Sequence, residues 1–190
     1  MDLLNVRYVI LRGRPAPNIR TVLVGDDYWV IENPRALPRV FVPRQVKLVA
    51  DDQQRLQHLA AASFNGNQLA LVEQPLEVPE RSRGTGTIEH ETPGQLVVRA
   101  QMETTGLLVL ADMWDPGWRA TRDDQPLTVH RVNHVLRGVV LPAGESIIQF
   151  DYQPTSFRWG IGILLAALTV CFAWGVGIWA THARQPSTAE

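Results

Sequence analysis

Hydrophobic and polar positions follow two patterns along this chain. Between residues 84 and 152, short apolar segments alternate with polar residues and are separated by Gly, Pro, Asn or Asp, a pattern typical of antiparallel strands. The clearest alternation, at residues 95–102, predicts a strand with Leu96, Val98, Ala100 and Met102 pointing inward. Residues 107–110 are apolar at every position, which is typical of a strand covered on both faces.

The spacing of these segments predicts a mainly β domain, a sandwich or jelly roll. Its turns are expected at Asp123-Asp124, Asn133-His134 and 142–144, and its further strands at 85–91, 107–111, 118–122, 127–132, 136–141 and 146–152. Earlier strands are predicted at 4–11, 28–31, 38–42, 45–50 and 69–72.

One short helix interrupts the predicted strands. Asp51 has the side chain of a helix N-cap, and the pair Asn65-Gly66 is a stop signal. The apolar positions between them predict a buried stripe made of Leu56, Leu59 and Ala60.

The second pattern is an unbroken apolar run at residues 159–180, without a charge, an amide or a histidine. At 1.5 Å per residue, this length spans about 33 Å as a helix, enough for a hydrocarbon core of about 30 Å. The run therefore predicts one C-terminal transmembrane helix. Aromatic and basic residues favour the membrane interface, so the predicted anchors are Arg158, Trp159, Trp179 and Arg184.

This organisation predicts a β domain at residues 1–157, a transmembrane helix at 158–182 and a short polar tail at 183–190. The lipid bilayer is the first predicted partner. The charged residues, 18 basic and 19 acidic, all lie outside the apolar run and form no basic patch that would indicate nucleic-acid binding. The single cysteine, Cys171, lies inside the run and excludes an intrachain disulfide.

An ordered series of short motifs carries a family resemblance. Pro116-Gly117-Trp118 is followed by Asn133 with Arg137-Gly138-Val139, then by Pro142-Ala143-Gly144, and then by Tyr152, Pro154, Ser156 and Phe157 before the apolar run. This series resembles the C-terminal extracytoplasmic domain and last transmembrane helix of the YfhO family of bacterial membrane proteins. Residues 5–10 and 38–42 also fit the family. Asp123-Asp124 stands where the family usually has Asp-Gly, which leaves that hairpin's turn type open.

The resemblance implies a role beside glycosyltransferase chemistry. Full-length relatives look like multi-spanning enzymes that use polyprenyl-phosphate sugars and act on cell-envelope polymers, with a catalytic acid between their first transmembrane helices. This chain contains only one predicted span, so no catalytic residue carries over and no cofactor is expected. The start of the chain, MDLLNVRYVI, is not typical of a signal peptide.

A lone span near the C-terminus would leave the β domain in the cytoplasm, whereas the resemblance implies the extracytoplasmic side of the bacterial cytoplasmic membrane. Lys and Arg counts do not decide the orientation, since Arg158 balances Arg184. We therefore expect a C-terminal piece, or half of a split gene, whose missing transmembrane helices belong to the same or a neighbouring protein.

Two sharper interpretations remain open. Four aspartates lie near the turn at Pro116-Gly117-Trp118, called here the tryptophan turn: Asp112, Asp115, Asp123 and Asp124. Paired carboxylates can act as acid and base or bind a cation. Aspartates are also common in turns for structural reasons. Trp114 is the best candidate for stacking on a sugar or lipid headgroup, which would make the chain a stand-alone binding module for envelope glycan or lipid.

Other site signals are weak. Trp118 is expected to enter the core of the sandwich. His130 and His134 have a metal-ligand spacing only on a helix, whereas their segment predicts strand, turn and strand, so no metal site is expected.

Overall fold

The computed structural model describes residues 1–182, without the side chains of Arg158 and of residues 177–182. It contains fourteen strands and two α-helices over this range. A single turn of 3-10 helix, Asp2–Leu4, precedes them. The elements are β1 (Tyr8–Arg12), β2 (Leu23–Val24), β3 (Tyr28–Glu32), β4 (Val40–Phe41), β5 (Gln45–Leu48), α1 (Asp52–Ala60), β6 (Leu69–Val72), β7 (Gly84–Thr92), β8 (Gln95–Met102), β9 (Gly106–Met113), β10 (Trp118–Arg122), β11 (Gln125–Leu127), β12 (His130–Val132), β13 (Leu136–Leu141), β14 (Gly144–Tyr152) and α2 (Thr155–His182).

The strands form three sheets, which confirms the predicted mainly β fold class. A five-stranded sheet has the order β11-β10-β14-β8-β7, and a six-stranded sheet has the order β4-β9-β13-β12-β6-β5. All of their pairings are antiparallel except β5 with β6. The third sheet, β1-β3-β2, is small.

The main core lies between the two large sheets. The predicted alternation in β8 is confirmed, because Leu96, Val98, Ala100 and Met102 are all buried. They pack with side chains from β9, β13 and β14, among them Phe150. A second apolar cluster covers the other face of the six-stranded sheet. Residues 107–110 are therefore buried on both faces of β9, as their unbroken apolar pattern predicts.

Three predictions about individual elements were wrong. The strand predicted at 4–11 begins only at Tyr8, because the 3-10 turn occupies Asp2–Leu4 and Asn5 ends it with a left-handed backbone (φ 56°). The segment 127–132 is two strands, since the chain leaves one large sheet after β11 and joins the other at β12. In α1, Leu56 is 48% exposed and the buried residue is Arg55. Asp51 does cap this helix, accepting a 2.7 Å hydrogen bond from the Gln54 N–H.

The membrane segment is a unit separate from the β domain, Met1–Tyr152. Its helix α2 is long and apolar enough to cross a membrane over Thr155–Val176. It begins at Thr155, ahead of the predicted start at residue 158. Of the predicted interface anchors, Trp159 has an exposed side chain, the side chains of Arg158 and Trp179 are not among those described, and Arg184 lies outside the described residues.

The β10–β11 hairpin has a turn with two positive φ angles. Arg122 pairs with Gln125, and the two residues between them, Asp123 and Asp124, have φ angles of 51° and 60°. Positive φ at both central positions is the signature of a type I′ turn, which settles the turn type that the sequence left open.

We expect Asp124→Gly to raise the free energy of unfolding by up to about 1 kcal/mol, because glycine removes left-handed strain that exceeds its extra entropy in the unfolded chain. Chemical denaturation of the full chain in detergent measures this change. Asp124→Ala is the control and should be no more stable than the wild type. Equal stabilisation by both variants would show that the strain is not at this residue.

Candidate functional site

The aspartates around the tryptophan turn do not act as one cluster. Asp115 lies in the turn between β9 and β10, where its Oδ1 accepts a 2.7 Å hydrogen bond from the Gly117 N–H and its carbonyl accepts one from the Trp118 N–H. Asp123 and Asp124 form the next hairpin turn. Among the described residues, no group of three His, Cys, Asp or Glu side chains could hold a metal ion.

Asp112 is locked between two arginines from other strands. Its Oδ1 accepts from Arg39 Nε at 2.8 Å, and its Oδ2 accepts from Arg39 Nη2 at 3.1 Å and from Arg137 Nη2 at 2.8 Å. Arg39 also holds Glu91 through two hydrogen bonds of 2.7 Å. Both carboxylate oxygens of Asp112 are thus engaged by guanidinium groups, so this side chain is an ion-pair partner rather than a free acid or base.

Arg137 is the buried centre of this network. It is only 3% exposed, and its guanidinium carbon lies 3.7 Å from the centroid of the Trp118 ring and 5.6 Å from that of Phe150. Trp118 is half-buried against the core and lies 5.0 Å from Tyr152. The cationic side chain is therefore held by a carboxylate on one side and by aromatic rings on the other.

The charges of the network stabilise one another. Burial lowers the pKa of Arg137, an effect that the charge of Asp112 partly offsets. The hydrogen bonds to Glu91 and then Asp112 raise the pKa of Arg39, and the bond from Arg39 lowers the pKa of Glu91. The hydrogen bonds of the network thus favour the charged forms of Arg39 and Glu91, as in a structural ion-pair network.

Trp114 lies apart from this network, in the wall of a cleft. Its backbone N–H donates to the Val135 carbonyl at 2.7 Å, and its indole N–H donates to the Val129 carbonyl at 3.4 Å. The cleft encloses about 340 Å³. Besides Trp114, its lining comprises Val72, Glu73, Gln74, Thr128, Val129, His130 and Arg131. Of the three binding candidates from the sequence, only Trp114 lines it.

A buried arginine holds one of the side chains that line this cleft, Glu73. Arg55 is fully buried and donates to the Val49 carbonyl at 2.5 Å and to Glu73 Oε1 at 2.8 Å, besides pairing with Asp52. Arg131 donates to the same Glu73 oxygen, and its guanidinium carbon lies 5.6 Å from the Trp114 ring centroid. The predicted apolar stripe of α1 did not indicate that Arg55 is buried. The sequence signal that could have indicated it is the acidic partner Asp52, three residues earlier on the same face of the helix.

The two histidines have different places. His130 is half-buried in the lining of the Trp114 cleft, and burial lowers its pKa. His134 has a left-handed backbone (φ 71°) in the turn before β13. The segment is strand, turn and strand, as predicted, and the helical geometry that would let both rings bind one metal ion is missing there.

The pKa of His130 predicts a pH dependence of stability. Because the folded state disfavours the protonated ring, the unfolded chain takes up the proton more readily, and stability is lost as the pH falls below about 6.5. We expect the denaturation midpoint to drop between pH 7.5 and 5.5, and the drop to shrink in His130→Gln. An unchanged drop in that variant would assign the effect to other groups.

A known protein family matches the part of the chain that contains most of the residues described above. The family model described as bacterial membrane protein YfhO matches residues 45–164, more than half of the chain. The chain belongs to the YfhO family. The match runs from β5 into α2 and includes Asp112, Trp114 and all the motifs from Pro116 to Phe157. Neither a curated protein nor a solved structure matches the chain.

Family membership and the apolar helix together support a membrane location for this YfhO-family chain. The matched range includes residues of the ion-pair network and of its aromatic surroundings. Arg137 and Trp118 belong to the motifs that carry the resemblance, and in the structure they stack on each other. These two motif residues therefore contribute to the packing of the domain.

Proposed function

We propose that this β domain is the noncatalytic, extracytoplasmic part of a YfhO-like membrane glycosyltransferase that acts on cell-envelope polymers. The observation that carries the noncatalytic assignment is the position of Asp112. The side chain of this acid is 18% exposed, and both of its oxygens are occupied by Arg39 and Arg137. A general acid needs a proton to give, and a general base needs a free lone pair to accept one.

The remaining aspartates support the same proposal. Asp115 accepts a backbone hydrogen bond of its own turn, and Asp123 pairs with the neighbouring Arg122 at 3.7 Å. Each of these carboxylates has a local structural role, as aspartates in turns commonly do. The chemistry of sugar transfer is then assigned to further transmembrane helices, in the same protein or in a neighbouring one.

Sugar transfer in native membranes tests this assignment. Cells that lack the gene should lose a sugar from an envelope polymer, and the wild-type gene should restore it. The double variant Asp115→Asn/Asp124→Asn, which keeps the shape of both turns, should restore it equally well. Asp112 is left intact in this experiment because its replacement is expected to unfold the domain.

Two outcomes contradict the proposal. An unchanged envelope in the deletion strain would remove the glycosyltransferase role. Loss of transfer in the double variant, with the protein present at the normal level, would place catalysis in the β domain itself.

The cleft beside Trp114 supports a second candidate, a stand-alone membrane-anchored module that binds carbohydrate or lipid headgroups. An antibody against the β domain separates the two on an immunoblot of native membranes. A band well above the 21.3 kDa of this chain supports the glycosyltransferase. A band at that size supports the module when no multi-spanning partner protein is recovered with it, whereas recovery with such a partner supports the split form of the glycosyltransferase.

A further inference from the structure

We infer that the cleft beside Trp114 binds one or two neutral sugar rings of a glycan. This inference rests on the proposed function, in which the domain belongs to an enzyme that acts on envelope polymers. The cleft is the surface that such a polymer would contact. The residues of the cleft come from three separate parts of the chain: the segment after β9, the end of β6 and the start of β12.

The fold brings these parts together through one strand pairing. Val72 in β6 pairs with Val132 in β12, which places Glu73 beside Arg131 at the same end of both strands. The two hydrogen bonds of Trp114 to the carbonyls of Val129 and Val135 fix its ring next to them. The cleft is thus built from backbone-anchored elements, as a preformed binding site requires.

The shape of the cleft suits a sugar. Its volume of about 340 Å³ lies at the lower end of the range of about 300–1,000 Å³ that is usual for small-ligand sites. Trp114 supplies a large apolar ring at the wall, and the apolar C–H face of a pyranose packs on such a ring. Because the indole N–H is already bonded to Val129, the ring offers its surface and not its polar group.

The polar groups of the cleft suit hydroxyls. Both arginine hydrogen bonds to Glu73 go to Oε1, and among the described residues no hydrogen bond reaches its Oε2. Gln74 and Thr128, both exposed, add an amide and a hydroxyl at the rim. Together these groups donate and accept in several directions, which is the recognition that a ring of hydroxyls needs.

The charge balance of the cleft argues for a neutral ligand. The two cations Arg55 and Arg131 are matched by the two anions Asp52 and Glu73, which lie within 4 Å of them. His130 is held neutral at pH 7 because burial lowers its pKa. A phosphate or a carboxylate would meet no uncompensated cation here, so a phosphorylated headgroup fits less well than a sugar.

Saturation-transfer NMR on the full chain in nanodiscs tests the inference. The probes are methyl glycosides of glucose, galactose and N-acetylglucosamine, their short oligomers, and glycerol phosphate as a headgroup probe. We expect at least one sugar probe to bind through its ring protons, and Trp114→Ala to weaken its binding by about tenfold or more.

Two further variants keep the test independent of folding. Thr128→Trp fills the mouth of the cleft from its exposed rim and should abolish binding without disturbing the core. Tyr8→Ala, which removes an exposed aromatic ring from β1, is the matched control and should bind as the wild type does.

The inference is overturned if no sugar probe binds the wild type, if glycerol phosphate binds in their place, or if Trp114→Ala and Thr128→Trp bind sugar as well as the wild type. These outcomes contradict the sugar site alone, and the proposed function is kept as long as deletion of the gene removes a sugar from the envelope. If the domain binds sugar but the deletion strain shows no transfer defect, the glycosyltransferase role is contradicted and the sugar site is kept.

Discussion

Replacing Asp112 with alanine is expected to lower the free energy of unfolding by about 3–5 kcal/mol, which is usual when one partner of a buried ion pair is removed. The reason is Arg137, which is 3% exposed and, among the described residues, donates a hydrogen bond to no carboxylate other than that of Asp112. Without Asp112 the guanidinium would keep its charge inside the domain without a hydrogen-bonded carboxylate, next to the rings of Trp118 and Phe150. Chemical denaturation of the full chain in detergent measures the loss.

Glu145→Ala is the matched control for this variant. Glu145 is also a carboxylate paired with an arginine, Arg99, but both side chains are about half exposed. Its removal should cost less than about 1 kcal/mol, as for other surface ion pairs. A loss from Asp112→Ala as small as that of the control would mean that Arg137 does not depend on this partner.

Replacing Phe150 with alanine is expected to cost a similar amount, about 3–5 kcal/mol, as is usual for a large aromatic residue removed from a core. Phe150 is fully buried between the two large sheets, and its ring also faces the guanidinium of Arg137. The variant leaves a cavity and withdraws one of the two rings that surround this cation. The same denaturation experiment measures it.

Ile147 gives the control within the same strand, β14. Its side chain is 44% exposed, so Ile147→Ala should cost far less than Phe150→Ala. Equal losses at the two positions would contradict the assignment of the β14 faces, and with it the position of the main core.

The sequence predicted those parts of the fold whose signal is local. The alternation in β8 and the unbroken apolar run of β9 each depend on residues a few positions apart, and both are seen in the structure. The cap of α1 at Asp51 is equally local. The division of residues 127–132 between two sheets was not predicted, because it depends on which distant strand each half pairs with.

The buried charges could not be predicted for the same reason. In the sequence Arg55 is a polar position of a short helix, which predicts exposure. It is buried because its guanidinium donates hydrogen bonds to Glu73 and to the Val49 carbonyl. Arg137 reads as the polar residue of an apolar strand, and its partner Asp112 lies on another strand. A charge becomes tolerable in the interior only through such partners, and sequence separation hides them.

The candidate site was predicted in part. Trp114 was singled out from its residue type and its position near a turn, and it lines the cleft. Glu73 and Arg131 were not, because only the pairing of β6 with β12 brings them beside it. Asp112 and Asp115, proposed beside Trp114 from their closeness in sequence, have separate partners in the ion-pair network and in the turn.

Protease accessibility shows on which side of the membrane the β domain lies, and it tests the proposed extracytoplasmic location directly. Protease is added to spheroplasts of native cells, and an immunoblot with an antibody against residues 1–152 follows the domain, with a cytoplasmic protein as the control for intact membranes. We expect the domain to be digested while the cytoplasmic protein survives. A domain that resists protease until the membrane is broken would contradict the extracytoplasmic assignment and favour a stand-alone module in the cytoplasm.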